Sequence, residues 1–193
     1  MSLNIPSILA AHNQAIACIE NLTPQIHEAV ERILRVLGYG GQIYICGNGG
    51  SAADAQHFAA ELTGRFEKER RGLPVISLTT DTSALTSIGN DYGFDHIFSR
   101  QLEALAKPGE LLIVISTSGN SANILKAVEY ARECNIQTVG LLGRDGGKLA
   151  SMVDVALNIE VDNTARIQEA HILILHMLCE AIESGNETAD DNS

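Results

Sequence analysis

Positive charge is scarce in this chain: 13 lysines and arginines stand against 24 aspartates and glutamates, a formal net charge of −11. A nucleic acid or an anionic membrane surface would meet no basic patch, which excludes both as partners. Long apolar runs are missing too. None approaches the roughly 20 residues that span a bilayer, and the opening stretch MSLNIPSILAAHNQ lacks the basic flank of a secretion signal. The four cysteines (Cys18, Cys46, Cys134, Cys179) show no C-x-x-C spacing and read as reduced, mostly buried thiols of a cytoplasmic protein. No linker, repeat or low-complexity block interrupts the chain before its acidic end, ESGNETADDNS, where a solvated, disordered tail is expected over 184–193.

What remains is a 193-residue chain with 45% apolar residues, enough to bury one real core, expected over 1–183. Residues 7–37 carry helical periodicity broken at NLTPQ, which predicts an N-terminal helical pair with Thr23 capping a second helix that starts at Pro24. Five short apolar runs follow, GQIYICG, LPVISL, LLIVIS, IQTVGLLG and VDVALNI, with helical patterns between most of them and TARIQEAHILILHMLCEAIE as a last helix. Continuous β-branched runs alternating with helices predict a parallel sheet covered on both faces. The expected architecture is α/β: a three-layer α/β/α sandwich with a five-stranded parallel sheet plus the helical pair.

Two polar turns fall where strands hand over to helices, GNGGS after the first strand and STSGNS after the third. In such sheets ligands bind beyond the carboxyl ends of the strands. Free backbone N–H groups at a helix N-terminus attract anions. Gly47, Gly49 and Gly50 allow close approach of a ligand to the backbone, while Ser116, Thr117, Ser118 and Ser121 add hydroxyl donors. Either turn alone is equally well a tight turn with a capping serine; two at one edge point to a phosphorylated ligand. GNGGSA also satisfies a dinucleotide fingerprint, with Asp81 as the sole candidate for its ribose-binding acid. No lysine is present for a P-loop, and neither lysine nor arginine lies in STSGNS, so neutral donors would hold the phosphate.

His57 and Glu61 stand at i, i+4 and share a helix face. The pair reads as half of a metal site, as a base with its orienting partner, or as a plain surface hydrogen bond. The last helix adds Gln168, His171 and His176 to an apolar stripe. A histidine there is ordinarily a core histidine, and His176, flanked by Leu and Ile, would be costly to bury without a partner.

The segments CGNGGSAADAQHFAAELTGRF, SIGNDYGF, ISTSGNSANI, GRDGGKLA and ARIQEAHILILH together resemble the sugar isomerase (SIS) family, and within it the sedoheptulose 7-phosphate isomerases. The resemblance covers about residues 40–183. It implies an SIS domain that converts sedoheptulose 7-phosphate to D-glycero-D-manno-heptose 7-phosphate through an enediolate, the first step toward the heptose of bacterial lipopolysaccharide. It also implies one zinc ion per subunit and a homotetramer with sites at subunit interfaces. Carried over by motif, Asn48, Gly49, Gly50 and Ser51 contact substrate, as do Asn90 and Asp91, the phosphate cradle of Ser116, Thr117, Ser118 and Ser121, and also Arg65 and Gln168. His57, Glu61, Gln168 and His176 hold the metal, and Glu61 and His176 act as the acid/base pair. Ala165 stands where some members carry an acidic residue.

The rival reading from the same resemblance is a non-enzymatic tetrameric adaptor binding the replication initiator protein. That adaptor lacks the catalytic carboxylate and the late histidine, both present here as Glu61 and His176. One geometric expectation stands beside the resemblance. On one straight helix Gln168 and His176 lie about 12 Å apart along the axis and about 80° apart around it. Ligation by both requires a helix that starts late, near Gln168, or ligands drawn from different copies of the chain, with His57 and Glu61 completed by a neighbour.

Overall fold

The computed structural model describes residues 3–190, with side chains through Gly185. Five strands form one sheet: β1 (Ile43–Gly47), β2 (Val75–Ser77), β3 (Leu111–Ser116), β4 (Gln137–Gly143) and β5 (Val155–Ile159). All pairs are parallel, in the order β2-β1-β3-β4-β5. The helices are α1 (Ile5–Glu20), α2 (Thr23–Gly38), α3 (Gly50–Thr63), α4 (Thr82–Asp91), α5 (Ser99–Leu105), α6 (Ala122–Glu133) and α7 (Thr164–Asp190). The α/β/α sandwich expected from the strand runs is the one observed.

Strand alternation sorts the core into two halves. Ile43, Ile45, Leu111, Ile113 and Ile115 face α1, α2, α3 and α7; Tyr44, Cys46, Leu112 and Val114 face α4, α5 and α6. The N-terminal pair is thus no appendage: Ala15, Ile19, Ala29 and Ile33 sit in the same cluster as Phe58 of α3 and Ile174 of α7. Each large apolar side chain buried there stabilises the fold by about 1.5–3 kcal/mol.

Two local expectations are corrected. Thr23 opens α2 rather than capping it: its hydroxyl donates to the Glu20 carbonyl at 2.8 Å and so closes the end of α1, while α2 has no side-chain cap. Helix α7 runs on to Asp190, past the limit of 183 expected for the ordered chain. Gly185 within it packs so tightly that an added Cβ would lie 2.8 Å from Leu34 Cδ1. Residues 191–193 of the expected tail lie outside the described residues.

Strand order decides where a ligand can sit. From β1 the chain moves outward to β2, then crosses back to place β3 on the other side of β1. The connections leaving β1 and β3 therefore diverge and open a crevice at the carboxyl edge, the position where sheets of this order bind ligands.

Candidate functional site at the sheet switch point

Both polar turns line that crevice. Gly47 ends β1 because nothing larger fits: a Cβ there would lie 2.5 Å from the Ser51 carbonyl oxygen. Gly49 takes φ +56° and leads into α3, whose start has no side-chain cap. Across the crevice Ser121 is the N-cap residue of α6 and makes no capping bond either, which leaves the first-turn amides of α6 to an incoming anion. Asn48 and Asn123 exchange two side-chain amide bonds, 2.9 and 2.8 Å, and tie one turn to the other. Asn123, buried at the start of α6, is a site residue that sequence reasoning missed; its only local signal is its place just after STSGNS.

The hydroxyls of the second turn hold each other in place. Ser116 Oγ accepts the Gly119 N–H at 3.2 Å and lies 3.3 Å from Ser121 Oγ, and Ser118 Oγ accepts the Asn120 N–H at 3.2 Å. An accepting hydroxyl still has its own proton to donate. Three serines can therefore shape the turn and bond a phosphate together. The turn is strapped from behind by the segment after β4: Leu149 N–H donates to the Gly119 carbonyl at 3.1 Å and Lys148 N–H to Asn120 Oδ1 at 3.2 Å.

Helices α3 and α7 run side by side in the same direction. The start of α3 at Gly50 touches Gln168, the middle at His57 meets His176, and the segment beyond its end bonds Glu183. His57 Nε2 faces His176 Nε2 at 2.9 Å, and Glu61 Oε1 lies 3.3 Å from the same His57 atom. Two imidazole nitrogens at that distance cannot both carry a proton, so at least one directs a lone pair inward. The Phe66 ring stacks on His176, with centroids 5.7 Å apart. One turn before His57, Asp54 is partly buried; burial raises its carboxyl pKa against the opposing pull of His57.

Other expected residues fall elsewhere. Glu61, His57 and His176 come from one chain, so a neighbour is not needed to bring His176 to the pair; α7 begins at Thr164, so no late start occurs either. Gln168 packs against the start of α3, its amide 2.5 Å from where a Gly50 Cβ would be. The contacts among the three pass pairwise through His57, and among the described residues no three His, Cys, Asp or Glu side chains surround one point as a metal requires. Arg65 lies past the end of α3, exposed and 3.8 Å from Glu69, away from Glu61. Asn90 and Asp91 are exposed at the far end of α4, where the Asn90 amide donates to Asp91 Oδ1 at 2.8 Å. Ser51 is 3% exposed, its carbonyl pressed against Gly47 and its N–H donating to the Asn48 carbonyl at 3.0 Å. Asp81 caps α4 by accepting the Ala84 N–H, which removes the candidate ribose acid.

The core histidine of α7 is His171, not His176. Fully buried, it lies 2.9 Å from the Leu142 carbonyl and so donates from Nε2, while Nδ1 has no partner. Burial pushes its pKa down to about 4, a fall that the bond to Leu142 only partly opposes. The consequence for stability has a definite sign. Above the unfolded value of 6.5 neither state binds the proton; as pH falls toward 4 the unfolded chain takes it up first, and stability is lost. The loss levels off at about 3 kcal/mol. Thermal melting from pH 7 to 4 is expected to show a steeper fall in Tm for the wild type than for His171→Gln, which keeps a donor to Leu142 without a titrating ring. Equal slopes would show that His171 is not the group responsible.

With this geometry in view, similarities to known proteins take on meaning. The SIS domain family profile matches residues 9–143. The phosphoheptose isomerase of Helicobacter hepaticus is 56% identical over 184 residues, 95% of this chain and 94% of that protein. That of Neisseria gonorrhoeae is 59% identical over 160 residues, 81% of each. The solved structure of phosphoheptose isomerase from Neisseria gonorrhoeae superimposes with a TM-score of 0.85 at 50% identity, covering 94% of this chain and 100% of that one. The one from Francisella tularensis does so with a TM-score of 0.90 at 42% identity, covering 93% and 96%.

Proposed function

Because the chain belongs to the SIS domain family and is a phosphosugar isomerase of the phosphoheptose isomerase kind, we propose that it converts sedoheptulose 7-phosphate to D-glycero-D-manno-heptose 7-phosphate, in the cytoplasm, toward the heptose of lipopolysaccharide. The observation that carries this reading is the meeting of His57, Glu61 and His176 between α3 and α7, with α3 starting from one of two donor-rich turns at one sheet edge. An adaptor has no use for a carboxylate and two inward imidazoles at that place, and nothing in the structure favours it.

The chemistry follows from proton bookkeeping. A ketose becomes an aldose when one C1 hydrogen moves to C2 and the O1 hydroxyl proton is exchanged for one on O2, through an enediolate. Glu61 takes the C1 proton and returns it to C2; an ionised carboxylate is the group in the trio that can accept from carbon and give back. His176 donates a proton to O2 and receives one from O1, with Phe66 fixing the plane of its ring. Ser116, Thr117, Ser118 and Ser121, with the α6 amides, hold the phosphate. Asn48, Gly49 and Gly50 line the other wall.

The donor set fits zinc in type: neutral imidazole nitrogens and a carboxylate oxygen are its usual partners. His57, Glu61 and His176 would hold the ion, with Gln168 the expected fourth ligand. When bound it supplies Lewis-acid stabilisation of the negative oxygen that develops on the substrate. A homotetramer is the setting in which the exposed Arg65, Asn90 and Asp91 would reach a neighbour's substrate.

Isomerase assays on sedoheptulose 7-phosphate, with and without chelator, test the reading. Activity lost on chelation and restored by zinc is expected; no turnover by the zinc-loaded enzyme would refute it. Within the same assay, Ser121→Ala removes a hydroxyl that makes no capping bond and only a long 3.3 Å contact with Ser116 Oγ. Its loss is expected to weaken binding by about 1–2 kcal/mol, a five- to thirtyfold rise in KM. An unchanged KM would take the second turn out of the site.

A further inference from the structure

The segment after α3, GRFEKERRG, is charged and lies between a helix end and β2, a composition that would not hold a fixed shape by itself. One buried carboxylate holds it. Glu183, 3% exposed, accepts the Phe66 N–H on Oε1 and those of Glu67 and Lys68 on Oε2, each at 2.9 Å. Arg70 Nε lies 2.9 Å from Oε1 in the same cluster, an ion pair with side-chain exposures of 11% and 2%. Burial by itself would raise the Glu183 pKa; the three N–H bonds and the guanidinium outweigh it and keep the carboxylate ionised.

The other side of the same guanidinium caps α3. Arg70 Nη2 donates to the Glu61 carbonyl at 2.9 Å, and Nη1 donates to Leu62 at 2.9 Å and Gly64 at 3.2 Å. The Glu61 carbonyl is one that a helix end leaves without a partner; that of Leu62 also accepts the Leu73 N–H at 2.9 Å. Glu183 stands seven residues beyond His176, two turns along the same face of α7. The pair thus bonds the backbone of Glu61, the backbone of the Phe66 that stacks on His176, and the helix that carries His176.

A buried ion pair is a weak device for stability, since desolvating two charges offsets most of their attraction and apolar replacements often do as well. It is a strong device for fixing geometry, because a planar guanidinium bonded to three carbonyls and a carboxylate with both oxygens bonded by backbone N–H groups admit one arrangement. We propose that Arg70 and Glu183 are positioning residues of the isomerisation, a clamp that sets Glu61 and the His176 ring at the separation proton transfer needs. The proposal rests on the assignment of Glu61 and His176 as the acid/base pair.

Arg70→Lys and Glu183→Gln keep volume and polarity but lose the fork or the charge. In the zinc-loaded enzyme each is expected to lower kcat by about 100-fold, the cost of misplacing reacting groups by about 1 Å. KM should stay within about twofold, since the phosphate turn lies on other elements. The double variant should be no worse than either single one, as expected of groups acting as a unit. A merely structural role would lower Tm while leaving kcat per folded molecule unchanged, and that result would overturn the proposal. Should either variant fail to fold, Phe66→Leu leaves the clamp intact and removes only the ring from His176. A fall in kcat with KM held supports the proposal there, and unchanged kcat counts against it. Histidine NMR on the zinc-free chain separates this test from the assay: Phe66→Leu and Glu183→Gln should move the His176 ring signals and leave His171 in place. If the wild type shows no isomerisation, the functional reading fails, while the NMR shift still decides whether the clamp orients His176.

Discussion

Glu61→Gln is expected to fold as the wild-type chain does and to lose about 10³-fold or more in kcat. The amide keeps the shape of the side chain, and its oxygen can still face His57, whose Nε2 lies 3.3 Å from Glu61 Oε1. The change removes basicity: an amide cannot accept a proton from carbon. Helix α3 should not notice, because Arg70 reaches the backbone carbonyl of residue 61 rather than its side chain. Wild-type exchange of the C1 hydrogen with solvent deuterium, followed by NMR, should vanish in the variant along with turnover. Retention of both at equal metal content would assign the carbon proton to another group.

The second large effect is expected at Gly119. Its φ is +63°, and a Cβ there would lie 1.9 Å from the Gly146 carbonyl oxygen and 2.7 Å from the Gly147 N. Both are backbone atoms in a turn where Gly146 and Gly147 themselves have positive φ, so neither can rotate aside as a flexible side chain could. Gly119→Ala must break the strap between the phosphate turn and the segment after β4, where the Gly119 carbonyl accepts the Leu149 N–H. A loss of roughly 2–3 kcal/mol in stability is expected. The displaced serines should add about a tenfold rise in KM for the sugar phosphate and in the inhibition constant of inorganic phosphate. A variant with unchanged Tm and KM would show that the turn does not need this close approach.

The two positions differ in how much of their role local sequence carries. Glu61 is legible because helical periodicity by itself puts it on one face with His57. The five strands are legible for a similar reason: β-branched runs and the glycine and serine turns that end them are local features, and burial on both faces imposes them on the sequence directly. The two donor-rich turns can likewise be seen and given a chemistry. The role of Gly119 cannot, because the atoms it must avoid belong to a segment 27 residues later.

Contacts between distant segments decided the rest. The order β2-β1-β3-β4-β5 is set by which helices pack on which face, and it alone brings the turns after β1 and β3 to one crevice. His171 and His176 stand about 140° apart around α7, and with apolar residues on both sides periodicity does not say which of the two is buried. The parallel packing of α3 and α7 buries the first under the sheet and turns the second toward His57, 119 residues away. Two nearby arginines were also beyond local reading. Arg65, one turn past Glu61 in sequence, swings out to Glu69, while Arg70 folds back onto the Glu61 carbonyl because a buried carboxylate from α7 holds it there. Side-chain chemistry is written residue by residue, but which groups meet depends on how helices lie across a sheet, and that is settled only when the whole core packs at once.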